Sequence, residues 1–223
     1  MNYDFKGKVV VVTGGTGGLG RAVAELFKES GAEVVVPQRG DKEGTYHLEA
    51  SNEESVSAFF EAVVKQYGRV DALVNVIGGY AAGDPVASLD TAVFDSQLEL
   101  NLKSAFLLTK YAVQKMTGQG GKIVHVGSRA AVDKGVNSFA YSVSKLGVLR
   151  LVEAVAEETR EQNININAVL PSIIDTPANR QAMPKAHHDR WPKPEQIAKV
   201  IAFLASDDAE LISGAAIPVY GKA

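Results

Sequence analysis

Cysteine is absent from the 223 residues, which excludes disulfides, thiol nucleophiles and Cys-ligated zinc. A basic excess is lacking too: 23 Lys and Arg stand against 26 Asp and Glu, a formal net charge of −3. Binding to a phosphate backbone usually leaves a strongly positive chain, so nucleic acid is not an expected partner. No apolar run approaches the roughly 18–20 residues of a membrane span. The opening MNYDFKGKVVVVTGG carries charges within a few residues and has no signal-peptide core. His187-His188 has no third ligand at metal spacing nearby, so no metal site is expected. His125 sits inside an apolar run and reads as a packed core residue. A soluble cytoplasmic protein is the expectation, of a length that suits one α/β domain.

What is present is alternation. Apolar, β-branched runs are predicted as strands at Lys8–Thr13, Glu33–Pro37, Tyr46–Leu48, Ala72–Val76, Lys122–Val126, Ile164–Leu170 and Ala215–Val219. Several are continuous rather than alternating, which suits strands buried on both faces of a parallel sheet. Helical patterns lie between them: Ala22–Ser30, Glu53–Tyr67, one long stretch Asp90–Met116, Tyr141–Gln162 and Pro194–Ala205. In the long stretch Leu98, Leu102, Ala105, Thr109, Ala112 and Met116 recur at intervals of three and four. Strands and helices in this order predict an α/β, doubly wound parallel sheet of about seven strands flanked by helices. No repeat or linker divides the chain, so residues 1–223 read as a single domain. Residues 172–192 hold Pro177, Pro184, Pro192 and the only Trp, and follow a strand's C-terminal end. Open α/β sheets place ligands there, so a substrate loop is expected.

After the first strand comes Thr13-Gly14-Gly15-Thr16-Gly17-Gly18-Leu19-Gly20, opening into a helix. Glycines let a backbone approach a pyrophosphate closely, and a helix N-terminus supplies free N–H groups and positive dipole. Tyr141 and Lys145 are four apart at the start of a later helix, hence on one face. A free tyrosine titrates near ~10, and a nearby ammonium would favour its phenolate, so the pair is suited to proton exchange with an alcohol or carbonyl. Ser128 ends the fifth predicted strand thirteen residues earlier, where its hydroxyl can bond the substrate oxygen.

The spacing Gly14, Gly18, Gly20 (T-G-x-x-x-G-x-G), followed in order by Asn101, Ser128, Tyr141 and Lys145, resembles the classical short-chain dehydrogenase/reductase family over essentially the whole chain. The resemblance implies a Rossmann-type fold and hydride transfer between a nicotinamide and a carbonyl or alcohol. Asn101, Ser128, Tyr141 and Lys145 would form the catalytic set, with Tyr141 as general acid/base and Asn101 holding a water linked to Lys145. Cofactor contacts would come from Gly14, Thr16, Gly18, Leu19, Gly20, Glu49, Ala50, Asn75, Gly78, Pro171, Ile174 and Thr176, besides Tyr141 and Lys145. Two positions depart from the family pattern: Asn75-Val76-Ile77-Gly78 replaces Asn-Asn-Ala-Gly, and Ser172 stands for the glycine after Pro171. Where NAD enzymes of the family carry an acid, this chain has Gln38 and then Arg39, whose guanidinium can pair a 2′-phosphate. NADP(H) is therefore expected, with NAD(H) as the alternative.

Within residues 175–191, Asp175-Thr176-Pro177, Asn179-Arg180, Met183-Pro184 and Trp191 resemble dihydropteridine reductases, as does Gly78-Gly79-Tyr80. Tyr80, Met183 and Trp191 join Ser128 and Tyr141 as substrate-contact candidates. The expected activity is that of a 3-oxoacyl-reductase-like or general carbonyl reductase. The alternatives are a dihydropteridine or quinonoid reductase, which would need Ser128 little, and a non-catalytic dinucleotide sensor, which would have no use for Tyr141 and Lys145. Family members pair through their long helices, so a homodimer or homotetramer is expected.

Overall fold

Four consecutive valines open the first strand, and each points to the opposite side from its neighbour. In the computed structural model, which describes residues 3–40 and 45–223, β1 (Val9–Thr13) is buried at every position. Val9 and Val11 pack into one hydrophobic layer and Val10 and Val12 into the other. In β3 (Ala72–Asn75), β4 (Gly121–Val126) and β5 (Ile164–Pro171) the buried apolar residues are likewise shared between the two layers. With β2 (Glu33–Val35) and β6 (Ala216–Val219) they form one all-parallel sheet in the order β2-β1-β3-β4-β5-β6. The chain leaves β1 toward β2 and returns to β3 on the other side. Such a reversal opens a crevice at the strands' C-terminal ends.

Helix α1 (Gly18–Glu29) and helix α7 (Pro194–Ala205) cover one face through Val23, Phe27, Ile197 and Ile201. Helices α2 (Glu53–Tyr67), α4 (Ser104–Met116) and α5 (Phe139–Glu158) cover the other through Phe60, Leu108 and Val152. Helices α2 and α7 start where the sequence reading placed them. The Asn52 side chain accepts the Ser55 N–H at 2.8 Å to cap α2, and Pro194 takes the first helical position of α7.

Three expectations are corrected. The sheet has six strands among the described residues, not seven: Tyr46–Leu48 makes only an isolated bridge, His47 to Gln38. Pro37, which lacks an N–H, ends regular pairing on the β2 side, and β2 itself stops at Val35. The stretch from Asp90 to Met116 is helical without a break from Thr91, as expected, but not regularly α: α3 (Thr91–Gln97) passes through a π-helical segment Leu98–Lys103 into α4 with right-handed backbone at both junctions. Residues 172–192 are more ordered than a loop, holding α6 (Pro177–Ala182), capped by Thr176, and a 3₁₀ turn His188–Arg190. No helix among the described residues is long and apolar enough to cross a membrane.

Candidate active site

A cleft of about 850 Å³ lies over the C-terminal ends of β1, β3, β4 and β5. The β1–α1 turn forms its floor. Gly14 adopts φ +72°, and a Cβ there would sit 3.0 Å from the Ile77 nitrogen. A Cβ on Gly20 would lie 2.1 Å from the Gly14 carbonyl oxygen, so the turn closes only with glycine at that position. One on Gly18 would meet Thr176 at 2.8 Å, which brings the strand-five exit against the turn. Helix α1 has no side-chain cap and no acid in its first turn, whereas α2 has both. Its N-terminal dipole and N–H groups therefore face the cleft uncompensated, which is what an anionic pyrophosphate fits.

All but one of the sequence-predicted cofactor contacts line this cleft: Gly14, Thr16, Gly18, Leu19 and Gly20 in the turn, Arg39, Glu49 and Ala50 at one end, and Gly78, Tyr141 and Lys145 with Pro171, Ile174 and Thr176 toward the other. The exception is Asn75, which is 3% exposed. Its Oδ1 accepts from the Thr13 hydroxyl at 2.8 Å and the Ile77 N–H at 3.1 Å. Its Nδ2 lies 3.2 Å from His125 Nδ1, and His125 Nε2 lies 2.8 Å from Thr109 Oγ1. Asn75 thus braces the glycine turn from below instead of meeting a ligand. His125 is fully buried, as the sequence suggests, and burial beside the Lys145 charge pushes it down to about 3.

The reacting groups stand on α5 and at the end of β4. Helix α5 starts two residues before Tyr141, so Tyr141 and Lys145 share its first turns and one face. Ser128 accepts the Ala130 N–H at 3.1 Å and lines the cleft together with the Tyr141 phenol. Lys145 is 4% exposed, and its Nζ donates to the Val126 carbonyl at 2.9 Å. Burial pushes this ammonium down to about 8. The Tyr141 phenol is raised, foremost by burial, with the Ser128 hydrogen bond lowering it and Tyr80 raising it. This corrects the expectation of a phenol held low by lysine: in the chain alone, desolvation outweighs the other contributions.

Asn101 falls in the π-helical segment and is 1% exposed. Its Oδ1 accepts the Gly79 N–H at 3.0 Å and its Nδ2 donates to the Gly79 carbonyl at 3.1 Å. A Cβ on Gly78 would lie 2.9 Å from both Asn101 Oδ1 and Lys145 Nζ, so this glycine lets the amide and the ammonium approach one small space. Gln97, one turn earlier, lies 3.3 Å from Asn101 Nδ2 and is also buried. The sequence reading missed Gln97, although a buried polar pair at i and i+4 is a readable signal.

At the substrate end Tyr80 lines the cleft with Ser128 and Tyr141. Its ring meets that of Tyr141 edge to face, centroids 4.9 Å apart. Met183 and Trp191 do not line the cleft. Trp191 is 7% exposed, packs on the His188 ring, and follows Arg190, whose carbonyl accepts the Lys222 N–H. Met183 ends α6, with its carbonyl 2.8 Å from His188 Nε2. These contacts hold the loop to itself, and Arg190 ties it to the C-terminal segment. Asn179 and Ser172, read from sequence as motif positions and not as contacts, do line the cleft.

Residues 14–221 match the family model described as enoyl-(acyl carrier protein) reductase. The chain is 31% identical to 3-oxoacyl-(acyl-carrier-protein) reductase FabG of Thermotoga maritima, covering 97% of this chain and 98% of the relative. It is likewise 31% identical to the NAD-dependent glycerol dehydrogenase of Listeria innocua, covering 99% and 95%. The structure of a short-chain type dehydrogenase/reductase from Mycobacterium ulcerans superposes with a TM-score of 0.92 at 25% identity, covering 98% of this chain and 90% of that one.

Proposed function

The chain belongs to the short-chain dehydrogenase/reductase family and is an NAD(P)-dependent oxidoreductase of alcohol and carbonyl groups, and we propose that it is an NADP(H)-dependent carbonyl reductase with Tyr141 as its general acid and base. The observation that carries this reading is that Ser128, Tyr141 and, one helical turn on, Lys145 line the same cleft as the glycine turn.

Bound nicotinamide supplies or accepts the hydride. The chain's own residues handle the proton. A phenol raised by burial is protonated at neutral pH and can give its proton to a carbonyl oxygen. The Ser128 hydroxyl is placed to donate to the same oxygen as negative charge grows there. Lys145 stays cationic below about 8 and steadies the phenolate left behind. Asn101 and Gln97 hold the Gly78–Tyr80 segment beside it, and the space bounded by Asn101 and Lys145 suits the proton relay expected from the family pattern. The fit to a dinucleotide rests on the uncapped α1 N-terminus and on glycines whose missing Cβ atoms leave no room for other residues.

Arg39 supports the choice of NADP(H): it is exposed, lines the cleft, and follows Gln38, which stands where NAD enzymes of the family carry an acid. Calorimetric titration with NADPH and NADH tests it. Charge-assisted bonds to a phosphate are worth about 1.5–3 kcal/mol, so Arg39→Ala should weaken NADPH by about tenfold or more and leave NADH within a few-fold. Equal loss for both would overturn the clamp. The dihydropteridine reading differs at Ser128: Ser128→Ala should cost ketone reduction about 10²-fold, whereas reduction of a quinonoid pterin would continue. We also infer a cytoplasmic homo-oligomer, supported by Phe106, Phe139 and Leu146, each about half exposed on α4 and α5.

A further inference from the structure

Among the described residues, the walls of the cleft hold three charged side chains: Arg39, Glu49 and Lys145. Arg39 and Glu49 lie at the end beyond β2, and Lys145 is buried with its Nζ on the Val126 carbonyl. The substrate end therefore offers no exposed charge. Its polar side chains outside the catalytic set are bound to the protein's own main chain. Ser172 Oγ donates to the Tyr220 carbonyl at 2.7 Å, Asn179 Nδ2 to the Ile174 carbonyl at 2.8 Å, and Ser104 Oγ to the Leu100 carbonyl at 2.5 Å.

What remains free is largely aromatic and apolar. Tyr80 is 70% exposed yet held edge to face against Tyr141. Asn101 anchors the preceding residue, Gly79, by both main-chain atoms. Leu100 and Ile174 complete this part of the wall. Beyond it, the Gly83 N–H donates to the Asn137 carbonyl at 2.9 Å and ties two loops together. Those loops expose Val86 at 65% and Val136 at 85%.

Resting on the carbonyl-reductase reading, we propose that the substrate is an uncharged carbonyl compound bearing a flat aromatic ring, and that Tyr80 is the specificity-determining residue that stacks it. With the carbonyl oxygen at Tyr141 and Ser128, the ring lies along Tyr80, and aromatic pairs gain beyond the area they bury. A carboxylate on the substrate meets no exposed cation among the residues lining this end of the cleft. A polyol loses water from its hydroxyls and finds few partners to replace it. In the reaction a hydride, which a bound reduced nicotinamide would supply on being oxidised, adds to the carbonyl carbon. Tyr141 gives the proton to the oxygen, and the carbonyl becomes a secondary alcohol.

The test uses three vicinal dicarbonyls with the tighter-binding reduced cofactor: 1-phenyl-1,2-propanedione, 2,3-pentanedione and phenylglyoxylate. The expected kcat/KM for the phenyl dione exceeds that for pentanedione about tenfold and that for phenylglyoxylate about a hundredfold. Tyr80→Ala brings the phenyl-to-pentyl ratio close to one, and Tyr80→Phe restores it. Phenylglyoxylate reduced as well as the phenyl dione, pentanedione preferred, or a ratio unmoved by Tyr80→Ala would each overturn the proposal while leaving carbonyl reduction intact. Calorimetric binding of cofactor with no ketone reduced at all would overturn the carbonyl-reductase reading, and this proposal with it.

Discussion

His125 should make the acid stability of this protein depend on a single buried imidazole. Thr109 Oγ1 gives its proton to the Ala105 carbonyl at 2.7 Å, so it must accept from His125 Nε2, leaving Nδ1 to accept from the Asn75 amide. The neutral tautomer is fixed at both ends, and a second ring proton would oppose the Asn75 N–H. The folded protein holds this group at about 3 against 6.5 for the free side chain. A depressed value means that below 6.5 the unfolded chain takes up a proton the folded one refuses. Stability is therefore present above 6.5 and lost as pH falls toward 3, at about 1.4 kcal/mol per unit. Between pH 7 and pH 5 the loss from this residue is about 2 kcal/mol. His125→Asn keeps an acceptor for Asn75, removes the titration and leaves Thr109 without its donor. At pH 7 it should be less stable by about 1–3 kcal/mol. Urea denaturation of both proteins at pH 7, 6 and 5 provides the check. Carboxylates common to the two cancel, so the gap should shrink by about 2 kcal/mol. A gap that stays constant across that range refutes the reasoning.

Lys145 behaves in the opposite compartment of the pH scale. With the folded value near 8 against 10.5, the unfolded chain holds more protons between those limits, so wild-type stability should climb from pH 8 to 10. Lys145→Met should remove that rise, be more stable at pH 7 by up to about 3 kcal/mol, and lose catalysis; thermal melts at pH 7 and 9.5 read it out. Gly20→Ala would place a Cβ 2.1 Å from the Gly14 oxygen. It should lower stability by about 1–3 kcal/mol and weaken both nicotinamide cofactors by more than tenfold, whereas calorimetric binding at wild-type strength would show the turn to be tolerant.

Much of this protein is determined by signals contained within one turn of chain. Valine runs buried on both faces, Asn52 before α2, Pro194 opening α7, the Gly14–Gly20 spacing and the four-residue step from Tyr141 to Lys145 each act on near neighbours, so their outcome is readable in order along the sequence. The π-helical segment at Leu98–Lys103 is not among them, because an apolar period of three and four continues through it. Tertiary packing alone decided that Asn101 would clasp Gly79 and that Asn75 and His125 would form one chain across the sheet. It decided too that Trp191 would bury itself against His188 instead of walling the cleft, and that Tyr80 would stand against Tyr141. Apart from the local Trp191–His188 pair, these residues meet across about 20 to 60 positions of sequence, where no local propensity acts. The direction in which Tyr141 titrates belongs to the same class: spacing places a lysine nearby, but only the assembled fold sets how much water is removed, and that desolvation outweighs the rest.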